Sequence, residues 1–352
     1  MRIMHILWGL RYGGAETMLV DIINRQCLEN EVELLIINRD IDCDLLSQID
    51  PHVKILKINR PPKSKNPVYI LKLNFLLLFS KIDIIHSQMD NIVEYFPLYF
   101  LKRNICLTIH CVRLGYKGIH KYNRVFAITD EVKESAWKQT GVMAHVVYNG
   151  IETQKFNTEK KNIPDGKFKV VQIGRLDHLH KGQHLTLRAI HFLVTQYNYT
   201  AIHLDVIGEG NSEKYLKDLS NQLKIDEYVT FCGTKTKDYI RENLTNYDLL
   251  VQPSLWEGFG LTIAEAMSAM VPTLISNVDG MKTTSSDGTF SYTFESNQVE
   301  DYAEKLYYII QRPVAERKIF AQKAYKYVCD HFDISATVEN YQKQYQQIIS
   351  KK

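Results

Sequence analysis

The sequence lacks the features that mark several large classes of protein. None of its six cysteines forms a C-x-x-C pair, so neither a structural zinc site nor a thioredoxin-like redox site is indicated. Its 43 basic and 40 acidic side chains leave a net charge of +3, which is too weak for a dedicated nucleic-acid-binding protein. The most apolar window, Ile70–Phe79, is about half a bilayer span long and is interrupted by Lys72 and Asn74, so we expect no transmembrane helix.

The N-terminal residues and the cysteines indicate the cellular compartment in which the protein works. The N-terminal apolar run Ile3–Trp8 is too short for a secretory signal peptide and leads directly into Gly9. The cysteines are scattered singly, which is typical of small apolar side chains in a reducing compartment. These observations predict a cytoplasmic protein.

What the sequence does contain is a regular alternation of short apolar strands and helices. At ~150 residues per domain, a chain of 352 residues predicts two domains. Alternating strands and helices favour a doubly wound parallel sheet in each, an α/β fold class. The alternation stops over Tyr148–Lys167, a polar stretch with Asn-Gly, Pro and Gly that is the predicted linker. We therefore predict domains at residues 1–160 and 161–334 and a final helix at 335–352.

The most informative motif is EGFGLTIAE, from Glu257 to Glu265, between a predicted strand and a predicted helix. Gly258 and Gly260 allow the backbone to approach a ligand closely. Free backbone amides at the predicted helix start can bind anionic oxygens such as those of a diphosphate. Carboxylates are also common at helix starts for electrostatic reasons alone, but the position after a parallel strand favours a ligand site.

The helix that follows has a predicted buried face. Ile263, Met267 and Met270 are spaced to share that face, which turns Glu265 away from it. We expect the Glu265 carboxylate to face a ligand cleft.

A second set of residues suits phosphate oxygens. Arg175 follows the predicted strand Lys169–Ile173, and Lys181 comes six residues later. A guanidinium can bind phosphate bidentately and an ammonium acts as a point charge. Alone, the two cations could equally be solvated loop residues.

Two further glycine turns follow predicted strands or precede helices. Gly208-Glu209-Gly210 lacks the third glycine of a dinucleotide-binding fingerprint, and no Gly-Lys-Ser/Thr of a P-loop follows Gly13-Gly14. Neither turn identifies a ligand by itself.

Together these motifs resemble the retaining glycosyltransferases of glycosyltransferase family 4, the group 1 glycosyl transferases, in order, in spacing and over nearly the whole chain. The residues that carry the resemblance are Gly13-Gly14-Ala15-Glu16, Thr108-Ile109-His110, Asn149-Gly150-Ile151, Gly174-Arg175-Leu176 with Lys181-Gly182, Gly208-Glu209-Gly210, and Glu257 to Glu265. The resemblance implies the GT-B fold, in which two Rossmann-like domains face each other across a cleft and the C-terminal helix crosses back to the N-terminal domain. It also implies an acceptor-binding first domain and a nucleotide-sugar-binding second domain.

The resemblance implies roles for single residues. Arg175 and Lys181 would hold the donor diphosphate, and Glu257 would hold the transferred sugar with the amides of Phe259, Gly260 and Leu261. Glu265 would accept hydrogen bonds from the ribose hydroxyls, and His110 would lie near the reacting carbon. The remaining donor contacts would come from backbone, with Gly14 and its neighbour Gly13 allowing approach to the diphosphate and four residues facing the base: Gly208, Gly210, Cys232 and Gly233.

Two ambiguities remain within this reading. His86, at the end of Ile82–His86, is placed much as His110 is, and the Thr-x-His match favours His110. Asp40-Ile41-Asp42-Cys43-Asp44 contains the D-x-D triplets of the metal-dependent GT-A glycosyltransferases, but a solvated acidic loop explains them better. We expect no metal or other cofactor, because Arg175 and Lys181 offset the diphosphate charge.

Departures from the family pattern leave the sugar and the acceptor open. Met281-Lys282 follows Gly280 where the family often has Pro-Glu, and Glu152 stands where Asp is usual. The resemblance implies a front-face retaining transfer from a UDP- or GDP-sugar to a glycan or polyprenyl-diphosphate-linked glycan, in bacterial surface-polysaccharide synthesis. A non-hydrolysing sugar-nucleotide 2-epimerase and a non-catalytic nucleotide-sugar-binding partner remain alternatives.

Basic residues could bring the N-terminal domain to an anionic membrane. They fall in two clusters, and the second cluster lies near Tyr116 and Tyr122 in the sequence. The clusters are Lys54, Lys57, Arg60, Lys63 and Lys65, and Arg113, Lys117, Lys121 and Arg124. A solvated basic face explains them equally well.

Overall fold

The chain forms two compact units in the computed structural model. The first unit is Met1–Ile151 with Asp333–Lys352, and the second is Glu152–Phe332. The structure describes the following residues: 1–95, 104–112, 115–159 and 166–350.

Each unit is built on one parallel β-sheet. The first sheet has seven strands in the order β3-β2-β1-β4-β5-β6-β7, and the second has six in the order β10-β9-β8-β11-β12-β13. The strands are β1 Arg2–Leu7, β2 Glu31–Asn38, β3 Lys54–Arg60, β4 Ile84–Ser87, β5 Asn104–Ile109, β6 Arg124–Ala127, β7 His145–Val146, β8 Phe168–Ile173, β9 Ile202–Ile207, β10 Val229–Gly233, β11 Leu249–Gln252, β12 Thr273–Ser276 and β13 Tyr292–Phe294.

Helices follow most of the strands, as right-handed parallel crossovers require. The α-helices in the described residues are α1 Gly14–Gln26, α2 Cys43–Ser47, α3 Pro67–Phe79, α4 Asp130–Thr140, α5 His178–Lys181, α6 Gln183–Gln196, α7 Glu213–Leu223, α8 Lys237–Asn243, α9 Leu261–Ser268, α10 Met281–Ser285, α11 Val299–Gln311, α12 Val314–Phe332 and α13 Ile334–Ser350. The predicted α/β class with two doubly wound parallel sheets is confirmed.

Both sheets share one topological feature that positions a site. The chain enters each sheet at a central strand, builds outward on one side, and then crosses to the other side. The crossing leaves β1 beside β4 in the first sheet and β8 beside β11 in the second. The loops leaving such a pair diverge, which opens a crevice at the carboxyl ends of the two strands.

The C-terminal helix α13 returns to the first unit, as the resemblance implies. It packs against α1, and its Tyr341 and Tyr345 are buried beside His86 of β4. The Tyr345 hydroxyl lies 2.5 Å from His86 Nδ1, and the Tyr341 hydroxyl lies 3.0 Å from Thr108 Oγ1. Burial, together with the nearby His5 and His110, holds the pKa of His86 well below its ordinary value. Helix α13 therefore supplies a hydroxyl group that satisfies a buried, neutral imidazole.

The chain passes between the two units at two points. The chain leaves the first unit after Ile151 and returns after Phe332, whereas the boundary predicted between 160 and 161 lies outside the described residues. Ile151 forms a parallel bridge with Asp333 and accepts a hydrogen bond from the Ile334 amide at 2.8 Å. A single bridge of this kind has no periodic pattern, so hydrophobic spacing could not locate it.

One helix-face prediction is wrong, and two strands were not predicted. Helix α9 ends at Ser268, and Met270 lies beyond it with a φ of 54°, so Met270 does not share the face of Ile263 and Met267. The unpredicted strands, β7 and β13, have two and three residues, too few to show a periodicity. In the described part of the chain, no helix is both long and apolar enough to cross a membrane.

Removing the Tyr345 hydroxyl tests the link between α13 and the sheet. Tyr345→Phe leaves His86 Nδ1 buried without that partner, so we expect it to lower the free energy of unfolding of the first unit by about 1–3 kcal/mol. Urea unfolding in a Trp256→Phe background isolates this unit, because Trp8 and Trp137 then report alone. Tyr69→Phe on the surface helix α3 is the control, and an equal shift for both variants would contradict the expectation.

Candidate active site

The crevice of the second sheet lies at the carboxyl ends of β8 and β11. The loop after β8 carries Arg175 and leads into the short helix α5, which ends at Lys181. The loop after β11 carries Glu257 and leads into α9. Sequence reasoning singled out these two loops, and the sheet order makes them neighbours.

Lys181 and Glu257 form an ion pair across the crevice. Lys181 Nζ lies 2.6 Å from Glu257 Oε2, and the two side chains are only 18% and 14% exposed. Burial alone would raise the pKa of Glu257, but the ammonium of Lys181 and the neighbouring His180 hold it below its ordinary value. The Glu257 carboxylate is therefore ionised and fixed in position at neutral pH.

Lys181 is positioned from behind by a buried glutamine that sequence reasoning missed. Gln172 of β8 donates its side-chain amide to the Lys181 carbonyl at 3.0 Å. Gln172 Oε1 accepts a hydrogen bond from the Thr186 hydroxyl at 2.7 Å. The Thr186 hydroxyl in turn lies 3.1 Å from the hydroxyl of Tyr302. The sequence signal that could have identified Gln172 is its position as a polar residue inside the apolar run KVVQI.

Glu257 has an equivalent support on the neighbouring strand. Gln252, at the end of β11, donates to Ser254 Oγ at 2.7 Å, and Ser254 donates to Glu257 Oε2 at 3.1 Å. Thr262 donates to Gln252 Oε1 at 3.3 Å, which fixes the orientation of the amide. The two central strands thus each end in a buried glutamine that holds one member of the ion pair.

Close backbone packing brings the two loops together. Gly182, directly after Lys181, lies so near the carbonyl of Pro253 that a Cβ at this position would come within 2.0 Å of the oxygen. Its φ of 65° is also disfavoured for other residues. A larger residue would push the Lys181 loop away from Glu257.

A stacked aromatic pair borders the ion pair and was not predicted. The imidazole of His180 and the indole of Trp256 lie 3.5 Å apart at an angle of 7°. Trp256 is 51% exposed, while burial and the adjacent Lys181 lower the pKa of His180. The stack fixes the side chains that flank Lys181 and Glu257 in sequence.

Arg175 is held less tightly than its predicted partner. Its side chain is 67% exposed, and its Nη2 lies 3.2 Å from Asp177 Oδ2. The structure brings Lys181 and Glu257 into contact, whereas the side chain of Arg175 is largely exposed to solvent.

The rest of the EGFGLTIAE motif forms a turn and a helix start. Phe259 is buried, and its ring packs edge-on against Phe332, so its side chain belongs to the core. Gly260 has a φ of 81° and caps α9, which begins at Leu261. Glu265 lies half-buried on the second turn of that helix. Gly258 is buried in the turn before it.

The glycines predicted to face the base also have a packing role. A Cβ at Gly208 would lie 2.1 Å from the Gly174 carbonyl oxygen, and one at Gly210 would lie 2.4 Å from the Leu176 carbonyl oxygen. Close contact between the loops after β8 and β9 thus accounts for both glycines. Cys232 sits at a register shift of β10, and Gly233 accepts a hydrogen bond from the Gly208 amide at 2.9 Å.

The predicted residues of the first unit lie at the same edge of their own sheet. Gly13 and Gly14 begin α1, and His110 directly follows β5. His110 is half-buried, with Nε2 2.9 Å from Gln88 Oε1. His86 is instead fully buried between Tyr345 and Thr108. Of the two histidines, only His110 retains exposure at the strand ends.

The acidic triplets have local structural partners. Asp42 accepts the Leu45 amide at 2.9 Å and caps α2, and Asp40 lies 2.6 Å from Arg11. In the described residues no group of three or more His, Cys, Asp or Glu is arranged to hold a metal ion. Glu152, the departure from the family pattern, pairs with Arg241 and with Lys155.

The two tyrosines near the second predicted basic cluster are packed inside the first unit. Tyr116 and Tyr122 are buried, and Tyr122 donates its hydroxyl to the backbone of Met89 and Asp90, so neither ring can meet a membrane. Arg113 lies outside the described residues.

Comparisons with known proteins agree with this geometry. Residues 153–327, about half of the chain, match the family described as glycosyl transferases group 1. An uncharacterised glycosyltransferase of Methanocaldococcus jannaschii is 28% identical over 188 residues, 49% of this chain and 47% of that protein. The chain spans about half or less of the length of the first curated relatives it matches.

Solved structures extend the likeness to the whole described fold. The structure of Anabaena HepE with UDP and glucose has a TM-score of 0.82 at 16% identity, covering 99% of this chain and all of that one. The lipopolysaccharide outer core galactosyltransferase WaaB has a TM-score of 0.74 at 19% identity, covering 100% of both chains. At these identities the likeness concerns the fold.

The two sheets have the GT-B fold, which solved structures of glycosyltransferases share. The chain belongs to the group 1 glycosyl transferases, and the match is carried by its second unit.

A double-mutant cycle tests the Lys181–Glu257 pair. Lys181→Met strands a buried carboxylate, so it should cost more stability alone than in combination with Glu257→Gln, with a coupling of about 1–3 kcal/mol in urea unfolding. The exposed pair Lys217–Glu213, with the same kind of contact at 2.7 Å, is the control and should couple by about 0.5 kcal/mol or less. Additive effects at Lys181 and Glu257 would show that the pair is not formed.

Proposed function

We propose that the protein transfers a sugar from a nucleotide-diphosphate sugar to a hydroxyl of a glycan or lipid-linked glycan. The observation that carries the proposal is the buried Lys181–Glu257 pair at the switch point of the second sheet, next to Arg175 and inside the family match. Switch points are where open α/β sheets bind nucleotides. HepE, similar in fold, binds UDP and glucose.

The charges of the crevice suit the two ends of such a donor. Lys181 and the exposed guanidinium of Arg175 would bind the diphosphate and stabilise it as it leaves. Glu257, kept ionised by Lys181, would accept hydrogen bonds from hydroxyls of the transferred sugar. Glu265 would accept hydrogen bonds from the ribose, and His110 remains the candidate contact from the first unit.

We further propose that transfer retains configuration by attack on the front face of the sugar. In a double-displacement glycosidase, one carboxylate attacks the sugar carbon. Glu257 Oε2 instead accepts hydrogen bonds from both Lys181 and Ser254, which disperses its charge and weakens it as a nucleophile. In the front-face route the leaving phosphate deprotonates the acceptor, and the protein contributes positioning and electrostatics.

Metal independence belongs to the same proposal. Two side-chain cations, Lys181 and Arg175, lie where the diphosphate would bind and can offset its charge without a divalent ion.

Surface-polysaccharide assembly is the setting we propose. WaaB, whose fold this chain shares, is a galactosyltransferase of the lipopolysaccharide outer core. A lipid-linked acceptor would also explain why the first unit has an exposed apolar face on helix α3.

Nucleotide binding is the first test. A diphosphate at ~100 times its dissociation constant should add about 2.7 kcal/mol to the stability of the folded protein. We expect a rise in melting temperature with one of UDP, GDP and ADP, smaller with CMP, and unchanged by EDTA. Arg175→Ala should abolish it, whereas Arg188→Ala, an exposed arginine on α6, should not.

The outcomes separate the proposed activity from its alternatives. No stabilisation by any nucleotide at millimolar concentration would contradict donor binding, and loss of stabilisation with EDTA would contradict metal independence. Conversion of the donor sugar without an acceptor would indicate a 2-epimerase. Binding without turnover, unaffected by Glu257→Ala, would indicate a non-catalytic partner.

Helix α3 supports peripheral contact with an anionic membrane. Its exposed apolar side chains form a continuous face and its sequence has no acidic residue. The face consists of Val68, Leu71, Phe75, Leu78 and Phe79, each more than half exposed. Lys63 and Lys65 precede the helix, Lys72 lies on it and Lys81 follows it, all exposed. An apolar face with basic neighbours is the signature of a helix that lies in the membrane interface.

Vesicle flotation tests this contact. The protein should float with vesicles containing anionic phospholipid and much less with purely zwitterionic vesicles, because each lysine adds about 1 kcal/mol only at a negative surface. Phe75→Ser with Phe79→Ser should reduce flotation at least about tenfold, since the burial of two aromatic side chains is lost. Leu28→Ser, another exposed apolar residue of the first unit, is the control. Equal flotation of both variants would refute a role for α3.

A further inference from the structure

An arginine and a tryptophan form a cation–π pair at the carboxyl edge of the first sheet. Trp8 directly follows β1, and Arg60 is the last residue of β3. The guanidinium carbon of Arg60 lies 5.3 Å from the centre of the Trp8 ring, within the range of a cation–π contact. The pair belongs to the first unit and lies at the sheet edge where Gly13 and His110 are also found.

Both members of the pair are held in place by neutral groups. Trp8 Nε1 donates a hydrogen bond to Asn91 Oδ1 at 2.9 Å. Arg60 Nη1 donates to Asn38 Oδ1 at 2.9 Å, and Arg60 Nη2 donates to the carbonyl oxygen of Ser64 at 2.5 Å. The folded chain therefore positions the guanidinium over the indole before any ligand binds.

The charge of Arg60 is not balanced by a neighbouring carboxylate. Arg60 is half-buried, yet it forms no ion pair with the residues that the structure describes. Asp40, the acidic residue nearest in sequence to Asn38, pairs with Arg11 instead. A guanidinium has five N–H donors, and the contacts of Arg60 with Asn38 and Ser64 use two of them. Since taking a charge out of water costs free energy unless an opposite charge compensates, the remaining donors suit an anionic ligand.

The segment that follows Arg60 indicates which anion fits. Lys63 and Lys65 are exposed in the loop, and α3 with its apolar face begins at Pro67. A guanidinium can bind phosphate bidentately, and the two ammonium groups add point charges beside it. A ligand that carries both a phosphate group and a lipid chain matches this sequence of charges and apolar surface.

We propose that Arg60, supported by Trp8, binds the phosphate group of a lipid-linked acceptor. The assignment of this phosphate to an acceptor rests on the proposed function, whereas phosphate binding at Arg60 does not. The donor diphosphate has its own cations in the second unit, Lys181 and Arg175. The cation of the first unit is therefore available to the other substrate.

Trp8 can report binding at this site directly. The chain has three tryptophans, so Trp137→Phe with Trp256→Phe leaves Trp8 as the only one. The probe is geranyl diphosphate, a water-soluble lipid diphosphate, which should change the fluorescence of Trp8 in a saturable way. Geraniol has the same chain without the diphosphate and should leave the fluorescence unchanged. No saturable response to the probe, or an equal response to geraniol, would overturn the proposal.

Substitutions of Arg60 measure its share of the binding. Arg60→Gln should weaken the affinity for geranyl diphosphate by about tenfold to hundredfold, because charge-assisted hydrogen bonds to phosphate are lost. Arg60→Lys keeps the charge without the planar fork, so its affinity should lie between those of Arg60→Gln and the parent protein. If Arg60→Gln does not fold, Arg60→Lys decides, since an unchanged affinity in that variant would refute binding through the guanidinium.

Arg39→Gln is the matched control. Arg39 is an exposed arginine directly after Asn38, so its removal changes the net charge of the same sheet edge by the same amount. The affinity for the probe should stay nearly unchanged in this variant. Equal losses in Arg39→Gln and Arg60→Gln would show only a general attraction to positive charge and would contradict a site at Arg60.

Two further measurements separate this site from the donor site and from the membrane surface. Arg175→Ala should leave the response of Trp8 to geranyl diphosphate unchanged, and loss of the response in that variant would assign the probe to the donor site. Arg60→Gln should float with anionic vesicles as the parent protein does. A loss of flotation with unchanged affinity for the probe would assign Arg60 to phospholipid headgroups and overturn the proposal.

The nucleotide measurement distinguishes failure of this proposal from failure of the proposed function. Arg60→Gln should leave the nucleotide-induced rise in melting temperature unchanged, because that rise reports on the second unit. Nucleotide stabilisation without a response of Trp8 to the probe would contradict the acceptor site alone. A response of Trp8 without nucleotide stabilisation would contradict the transfer function and with it the assignment to an acceptor, while the phosphate site at Arg60 would stand.

Discussion

The order of the strands is the constraint on which the candidate site depends. In each unit the chain begins at a central strand and later crosses to its other side, so that β1 lies beside β4 and β8 beside β11. The loops that leave these neighbouring strands run in opposite directions. Lys181 and Glu257 are 76 residues apart in sequence, yet this order brings their loops to one crevice. Without it, the glycine turns would be unrelated surface loops.

A common device then fixes the side chains at these strand ends. In the second unit Gln172 and Gln252 are buried at the ends of β8 and β11, and in the first unit Gln88 is buried after β4. A buried amide must satisfy both its donor and its acceptor, because an unmet polar group is costly away from water. Each glutamine does so by binding a residue that reaches the crevice. The hydrogen bonds that each buried glutamine requires therefore also fix the positions of residues at the sheet edge.

These examples also show how far the sequence could be read. Alternating apolar runs predicted both sheets, and the spacing of EGFGLTIAE identified the Glu257 loop, because both depend on local periodicity. The contacts of Glu257 with Lys181 and Ser254 could not be predicted in this way, because they form only when the chain folds. The contact between Gln88 and His110 was equally hidden, because the two residues follow different strands. The prediction that Met270 shares the buried face of α9 was wrong for a local reason, because the helix ends two residues before Met270.

The Lys181–Glu257 pair also explains how a carboxylate can serve in a site for an anion. A diphosphate next to a lone buried carboxylate would meet strong repulsion, because like charges are poorly screened where water is excluded. An ammonium has three N–H donors, and the contact with Glu257 uses one of them. Lys181 can therefore bind phosphate oxygens without releasing Glu257. In the proposed function the same cation neutralises the donor diphosphate and keeps Glu257 ionised for the sugar hydroxyls, so the two ends of the donor are recognised by one coupled pair. In the same proposal the exposed Arg175, which pairs with Asp177, would add a second positive charge for the leaving diphosphate.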